Sequence, residues 1–320
     1  MGYRENKGVH CHEIRISTAG EGIYGSDGKV HQAVRSGKRM TKRLDHEMVL
    51  SLLPDRNPWG HKGNFGRLLL LCGSKGYTGA AFFAAMGALR SGAGVVFLGV
   101  PESIYAIEAV KLNEPVIFPL PDAGGRLSAA AVPEILPRLP RMDAVLVGPG
   151  LGQSEGTLAV VRAVLEKAEC PVVVDADGIN VLSAHRDLLR GRKSPTILTP
   201  HDGEFARLGG VIGEERMAAA ADLADDLGCT VLLKGHETCI TDGVNGYVNS
   251  TGNPGMAVGG SGDVLAGVIT ALLGAGLPPL EAAACGAWLH GAAGDRCASE
   301  LGQYGMLPTD MLSALPRLMK

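Results

Sequence analysis

Six short apolar runs recur through the middle of this chain, at Arg67–Leu71, 94–100, Ala144–Val147, 171–174, 196–199 and 230–234. They are nearly continuous rather than alternating, so each strand they form must be covered on both faces. Helix-like stretches lie between them, at 80–91, 129–139, 157–167, 202–208 and 214–227. Strand and helix in alternation call for a parallel sheet with right-handed crossovers. The expected fold class is therefore α/β, with a mostly parallel central sheet flanked by helices on both faces. The 46 glycines and the low aromatic share, 4%, agree with a tightly turned α/β enzyme better than with a β sandwich. A hairpin, Thr238–Thr241 then 247–249 across Asp242-Gly243, follows the sixth run. Helical stretches at 263–273, 279–299 and 308–318 complete the chain. Residues 1–43 differ: they are polar, glycine-punctuated, and only 13–17 alternate like a strand. They read as an appended, mobile arm, which leaves 44–320 as the main domain.

The net charge of -3 rules out the broad basic field that nucleic-acid binding needs. Any phosphate-bearing ligand must be held by local devices. The seven cysteines are scattered without a C-x-x-C pair, and they read as small apolar fillers kept reduced in a cytosol. No apolar run is long enough to span a bilayer, and 1–43 holds no signal-peptide core. A cytoplasmic protein with neither membrane nor nucleic-acid partners is expected.

In a parallel sheet, ligands sit beyond the carboxyl ends of the strands. Five of the expected strand ends carry polar or glycine motifs: Cys72-Gly73-Ser74, Gly148-Pro149-Gly150, Asp175-Ala176-Asp177-Gly178, Thr199-Pro200-His201 and Lys234-Gly235. The sharpest feature is Asn253-Pro-Gly-Met-Ala-Val-Gly-Gly-Ser-Gly-Asp263, which runs into an apolar helix. Amides of Gly259, Gly260, Ser261 and Gly262 converging at a helix N-terminus would form an anion hole for a transferring phosphoryl group. Asp263, in the first turn, could accept the proton of a substrate hydroxyl. The plainer alternative is that Asp263 caps the helix, but capping does not require the glycines before it.

Lys234-Gly235-His236-Glu237-Thr238 leaves one strand and opens the next, where a lysine and a hydroxyl can meet a nucleotide phosphate. In Thr199-Pro-His-Asp-Gly-Glu204, Asp202 reads as the helix N-cap, leaving His201 to point into the cleft. Asp175 and Asp177 could hold Mg²⁺ through water, Asp177 alternatively capping the next helix. The small residues of Gly73-Ser74-Lys75-Gly76-Tyr77-Thr78-Gly79-Ala80-Ala81 could admit a planar ligand or serve tight packing. Three other patterns fail on context. Gly20-Glu-Gly-Ile-Tyr-Gly25 is followed by a turn instead of the helix a dinucleotide fingerprint needs. Gly152-Gln-Ser-Glu-Gly156 lies too far past its strand to be a nucleophile elbow. His10-Cys11-His12 has no second ligand pair spaced for zinc.

Taken together, His61-Lys-Gly-x-x-Gly66, Gly73-Ser74, Gly79-Ala80-Ala81, Arg90-Ser-Gly-Ala-Gly94, Gly148-Pro-Gly-Leu-Gly152, Asp175-Ala-Asp-Gly178, Thr199-Pro-His201, Lys234-Gly-x-x-Thr238 and Gly259-Gly-Ser-Gly-Asp263 resemble the ADP/ATP-dependent NAD(P)H-hydrate dehydratases. The resemblance runs from about Leu44 to the C-terminus and implies a ribokinase-like fold. It implies phosphorylation of the C6 hydroxyl of the S epimer of hydrated NADH or NADPH, followed by loss of phosphate. ADP, or ATP, would be the phosphoryl donor, with Mg²⁺. Asp263 would be the base. Ala80, Gly150, His201 and Asp263 would contact the hydrated cofactor; Lys234, Gly235, His236, Glu237, Thr238 and Gly262 would contact the nucleotide. A cytoplasmic homotetramer is also implied. Two departures stand out. Many relatives carry an N-terminal epimerase domain, for which 43 residues are too few, so any epimerase activity would come from another chain. Ser261 replaces the threonine common in the glycine loop. A ribokinase-like vitamin-precursor kinase, for hydroxymethylpyrimidine or hydroxyethylthiazole, would share the loop and Asp263, but the Thr-Pro-His and His-Lys-Gly motifs favour the repair enzyme. A catalytically silent nucleotide-binding regulator is the other alternative, and Asp263→Asn distinguishes the two: in an enzyme turnover falls by orders of magnitude while nucleotide binding survives.

Overall fold

Leucine fills four of the five places in Arg67–Leu71, and the pleat sends Leu68 and Leu70 into one buried cluster and Leu69 and Leu71 into another. A strand with two apolar faces must lie in the middle of a covered sheet, and that is where this one lies. The computed structural model describes residues 40–319. Its strands are β1 (Met40–Arg43), β2 (Arg67–Leu71), β3 (Val95–Pro101), β4 (Val116–Leu120), the two-residue ribbon β5 (Asp122–Ala123) and β6 (Arg126–Leu127), β7 (Ala144–Val147), β8 (Val172–Val174), β9 (Thr196–Leu198), β10 (Thr230–Leu233), β11 (Thr238–Thr241) and β12 (Asn245–Asn249). Its helices are α1 (His46–Leu52), α2 (Thr78–Arg90), α3 (Glu102–Lys111), α4 (Val132–Ile135), α5 (Glu155–Lys167), α6 (Asp177–Leu182), α7 (Asp202–Arg207), α8 (Arg216–Leu227), α9 (Ser261–Gly274), α10 (Pro279–Leu301) and α11 (Pro308–Ala314).

Ten strands form one sheet in the order β1-β12-β11-β10-β9-β8-β7-β2-β3-β4. Within it β11 alone runs against its neighbours, so the α/β, mostly parallel expectation is met. Residues of α2, α9, α10 and α11 fill one face cluster with the even-numbered leucines of β2; residues of α5 and α8 fill the other. Each fully buried leucine of β2 contributes about 2 kcal/mol of transfer free energy.

The small residues of α2 serve packing. A Cβ on Gly87 would stand 2.6 Å from the Val264 carbonyl oxygen of α9, and one on Gly267 would strike the Ala84 carbonyl. Glycine at both positions lets the two helix backbones touch, which fixes the start of α9 against α2.

Three expectations need correction. β1 lies inside the stretch read as an arm, pairing in parallel with β12 from Met40 with Asn245 to Arg43 with Val248. All four of its residues are exposed, so no apolar pattern marks it. The stretch 129–139 is not one helix. Pro133, Pro137 and Pro140 break it into 3₁₀ turns at Ala129–Ala131 and Leu136–Arg141 around the single turn of α4. β4 and α3, absent from the sequence reading, add an edge strand and its crossover; Pro119 is tolerated because β4 is an edge. The strand expected at 13–17, the G-x-G-x-x-G pattern and His10-Cys11-His12 lie outside the described residues. Among the described residues no helix is long and apolar enough to cross a membrane.

Candidate active site

Strands β2, β7, β8, β9 and β10 are parallel neighbours, so their carboxyl ends open on one edge of the sheet. Asp175 follows β8, and its side chain is buried. Its Oδ1 accepts hydrogen bonds from Thr199 Oγ1, after β9, at 2.7 Å, and from Lys234 Nζ, after β10, at 3.0 Å. Lys234 Nζ also lies 3.9 Å from Glu204 Oε2 at the start of α7. A Cβ added to Gly262 would stand 3.7 Å from the same nitrogen, so the first turn of α9 faces the lysine. Burial opposes the charge on Lys234, but Asp175, Glu204 and Asp263 together hold its pKa above the usual lysine value.

Asp263 is the most perturbed carboxyl of this group. Burial pushes its pKa up to about 7, the negative charges of Asp175 and Asp177 add to the rise, and Lys234 opposes it. A carboxylate at that value exchanges protons near neutral pH, as a general base must. It does not cap its helix. Gly260 occupies the N-cap with φ 97°, without a side-chain cap bond, and Asp263 sits in the first turn beyond it. A Cβ on Gly260 would come 2.5 Å from the Phe83 ring, so glycine is required there on two counts. Gly259 is exposed with nothing within 4 Å of the place a side chain would take, whereas Ser261 is buried.

On the far side of the cleft Gly150, with φ 63°, packs against Ala80: a Cβ on it would lie 2.6 Å from the Ala80 Cβ and 3.1 Å from that of Tyr77. Ser74 Oγ donates to the Gly150 carbonyl at 2.7 Å, and the Gly152 amide donates to Asp177 Oδ2 at 2.8 Å. Asp177 therefore pins the Gly148-to-Gly152 turn instead of capping α6, whose N-cap is Ala176 at φ 51°. That left-handed angle on an alanine is backbone strain stored between two acids of the site.

The α7 cap also differs from expectation. His201, not Asp202, is the N-cap: its Nδ1 accepts the Gly203 amide at 2.9 Å and the Glu204 amide at 3.4 Å, while Glu204 Oε2 accepts the His201 amide at 2.9 Å. Nδ1 accepts, so the ring proton sits on Nε2, which lies 3.4 Å from Glu204 Oε1 on a half-exposed side chain. Asp202 instead forms a paired contact with Arg216 at 2.7 and 3.1 Å.

Thr238 Oγ1 donates to the Gly235 carbonyl at 3.0 Å and closes the 235–238 turn over Arg216. Gly235, His236 and Glu237 are exposed there, and Glu237 pairs with Arg43 of β1 at 2.8 Å.

Thus Lys234, Gly262, Asp263 and Asp175 cluster, Ala80 meets Gly150, and His201 joins the cluster through Glu204; His236 and Gly259 stand apart at the rim. Glu204 closes the Thr199-to-Glu204 motif without a role assigned from sequence, although a glutamate three residues after a capping side chain is a recognisable spacing. Burial pushes the Cys72 thiol up, with Asp263 and Asp175 adding to it, so this nearby cysteine is no nucleophile.

A protein-family model described as NAD(P)H-hydrate dehydratase matches residues 68–317. The bifunctional NAD(P)H-hydrate repair enzyme of Moorella thermoacetica is 45% identical over 277 residues, covering 84% of this chain and 52% of that protein. The chain thus spans about half the length of the bifunctional relatives it matches. The ADP-dependent (S)-NAD(P)H-hydrate dehydratase of Neisseria meningitidis serogroup B is 38% identical over 73% of this chain and 78% of its own. A crystal structure of the ADP/ATP-dependent NAD(P)H-hydrate dehydratase of Bacillus subtilis, co-crystallized with ATP/Mg²⁺, superposes with a TM-score of 0.76. It has 31% identity and covers 89% of this chain and 98% of that one. The fold is ribokinase-like. With the family model spanning most of the sheet and its helices, the chain belongs to the NAD(P)H-hydrate dehydratase family.

Proposed function

We propose that this chain restores NADH and NADPH from the S epimers of their hydrates, using ADP or ATP as phosphoryl donor. The observation that carries the reading is a buried carboxylate with a pKa near 7, Asp263, one residue beyond the glycine loop and facing Lys234. The names of the Neisseria and Bacillus relatives support the reaction and its nucleotide.

The chemistry follows from a leaving-group problem. Hydroxide leaves a carbon poorly and phosphate leaves well. Asp263 takes the proton from the C6 hydroxyl as its oxygen attacks the terminal phosphorus of the nucleotide. The bond from that phosphorus to the bridging oxygen of the donor breaks. Amides of Gly259, Gly260 and Gly262 would receive the charge on the moving phosphoryl group, and the dipole of α9 adds to them, whereas the Ser261 amide, expected to join them, donates to the Val258 carbonyl at 3.3 Å. The ring nitrogen then drives out phosphate from C6, a proton leaves C5, and the ring double bond returns. Lys234 and the exposed 235–238 turn, with Gly262, would hold the nucleotide; Ala80, Gly150 and the Nε2–H of His201 would orient the hydrated ring.

Mg²⁺ fits this donor set. Asp175, after β8, and Asp177, with one oxygen on the Gly152 amide, are hard oxygen ligands. Among the described residues no group of three His, Cys, Asp or Glu could hold a metal directly. Asp175 and Asp177 would hold the ion through water, and it would neutralise nucleotide phosphate charge. The same reading places the enzyme as a cytoplasmic homotetramer, where the free thiols would stay reduced.

The test is direct. Purified chain is mixed with hydrated NADH, Mg²⁺ and either ADP or ATP, and the NADH absorbance is followed. The reading expects its return only with nucleotide and one phosphate released per NADH. No return with either nucleotide would refute it.

A further inference from the structure

The segment leading into the glycine loop is tied along one face of α10. Asn249, the buried last residue of β12, donates from Nδ2 to the Ala287 carbonyl at 3.2 Å. Thr251 Oγ1 donates to the Trp288 carbonyl at 3.0 Å. The Asp295 carboxylate accepts the Gly252 amide at 2.9 Å and Asn253 Nδ2 at 3.0 Å. Asn253 Oδ1 in turn accepts the Gly255 amide at 3.0 Å, which starts the turn Pro254–Met256. At the far end of the loop, His290 Nε2 lies 2.8 Å from the Ser261 carbonyl and 3.2 Å from its hydroxyl.

At about 100° per residue the anchors at 287, 288, 290 and 295 span roughly 160° of the circumference of α10, so they share one side of it. Two glycines on that side allow the approach: a Cβ on Gly291 would strike Thr251, and one on Gly294 would strike Met256. A carbonyl only accepts, so the His290 proton is on Nε2 and points at Ser261. Burial lowers the pKa of His290 to about 4, which keeps the ring neutral in that role.

The loop needs such outside support. Gly259 touches nothing on its side-chain face, and glycines lose more freedom on ordering than any other residue. A cradle made of such backbone works only if it is already in place when the phosphoryl group arrives.

We propose that His290 and Asp295 are positioning residues for phosphoryl transfer, Asp295 holding the 252–253 segment that leads into the glycine loop and His290 its Ser261 end on α10, and so setting where the 259–262 amides and Asp263 stand. The proposal rests on the reading of 259–263 as the phosphoryl site.

The test compares Asp295→Ala, His290→Leu and His290→Gln with the parent chain, using hydrated NADH and ADP with Mg²⁺, and includes Asp263→Asn in the series. Asp295 is exposed, so its variant folds even if a change at the buried His290 does not. Asp295→Ala should lower kcat about 10- to 100-fold and raise the KM for ADP, because displaced groups near reacting atoms cost rate steeply. The KM for hydrated NADH should rise less than that for ADP, since Ala80 and Gly150 are not moved. His290→Leu should behave alike, and His290→Gln, which keeps a donor at the same reach, should recover most of the loss. Parental kcat and KM for ADP in Asp295→Ala would overturn the proposal. If Asp263→Asn is dead in that same series, only the positioning role falls. If Asp263→Asn also turns over normally, the phosphoryl-site reading fails with it.

Discussion

Replacing Asp263 with Asn should stabilise this protein while abolishing its turnover. The folded carboxyl has a pKa of about 7 against an ordinary 3.8. The folded state therefore keeps a proton that the unfolded chain has already released at any pH between those values. Stability is fully present below about pH 4, is lost as pH rises toward 7, and is flat above. At 1.36 kcal/mol per unit, a gap of about 3 units costs the native state about 4 kcal/mol above pH 7. Asparagine carries no charge and escapes that cost. Urea unfolding of parent and Asp263→Asn chains across pH 4 to 8 reads the difference. The variant should gain on the parent steadily through that window, by up to about 4 kcal/mol, and turnover should fall by orders of magnitude with nucleotide binding retained. A stability difference that does not change with pH would refute the argument, because burial would then not be raising the Asp263 pKa.

Three further outcomes follow from the same cluster. The pH profile of kcat/KM should show an acid limb near 7, activity rising as Asp263 loses its proton, and no limb there would remove Asp263 as the base. Lys234→Met leaves the buried Asp175 without its cation, so unfolding should become easier by about 3 kcal/mol, and the acid limb of residual activity should move to higher pH because Lys234 lowers the Asp263 pKa. A limb that stays in place would show that the two groups are not coupled. Gly150→Ala puts a methyl against Ala80 at a left-handed backbone position, and it should raise the KM for the hydrated cofactor more than that for ADP; equal rises would mean that Gly150 does not line the substrate side.

Much of the sheet was legible because its strands are covered twice. β2 and β7 begin and end where their apolar runs do, and five strand ends carry the polar residues that meet in the cleft. β1 was illegible because Met-Thr-Lys-Arg at an exposed edge buries nothing. The prolines of 129–141 were in plain view, and they outweighed a helical apolar spacing. At the site, local geometry misled: aspartate is the usual cap, yet the imidazole of His201 took that place and left Asp202 to Arg216. Couplings across the sheet left no trace in the residue pattern. Lys234 meets Asp175 across 59 positions, and only folding shows that burial raises the proton affinity of Asp263, with Asp175 adding to the rise and Lys234 opposing it. The α10 anchors were hidden for a similar reason, because His290 and Asp295 meet their partners 29 and 42–43 positions away.

The central claim is that the 259–262 amides and Asp263 receive the phosphoryl group as it moves to the C6 hydroxyl. A crystal soaked with ADP and Mg²⁺ tests it most directly. The account predicts the terminal phosphate against the N-terminus of α9, within hydrogen-bond reach of those amides, and Lys234 beside it. A terminal phosphate bound away from 259–263 would contradict it.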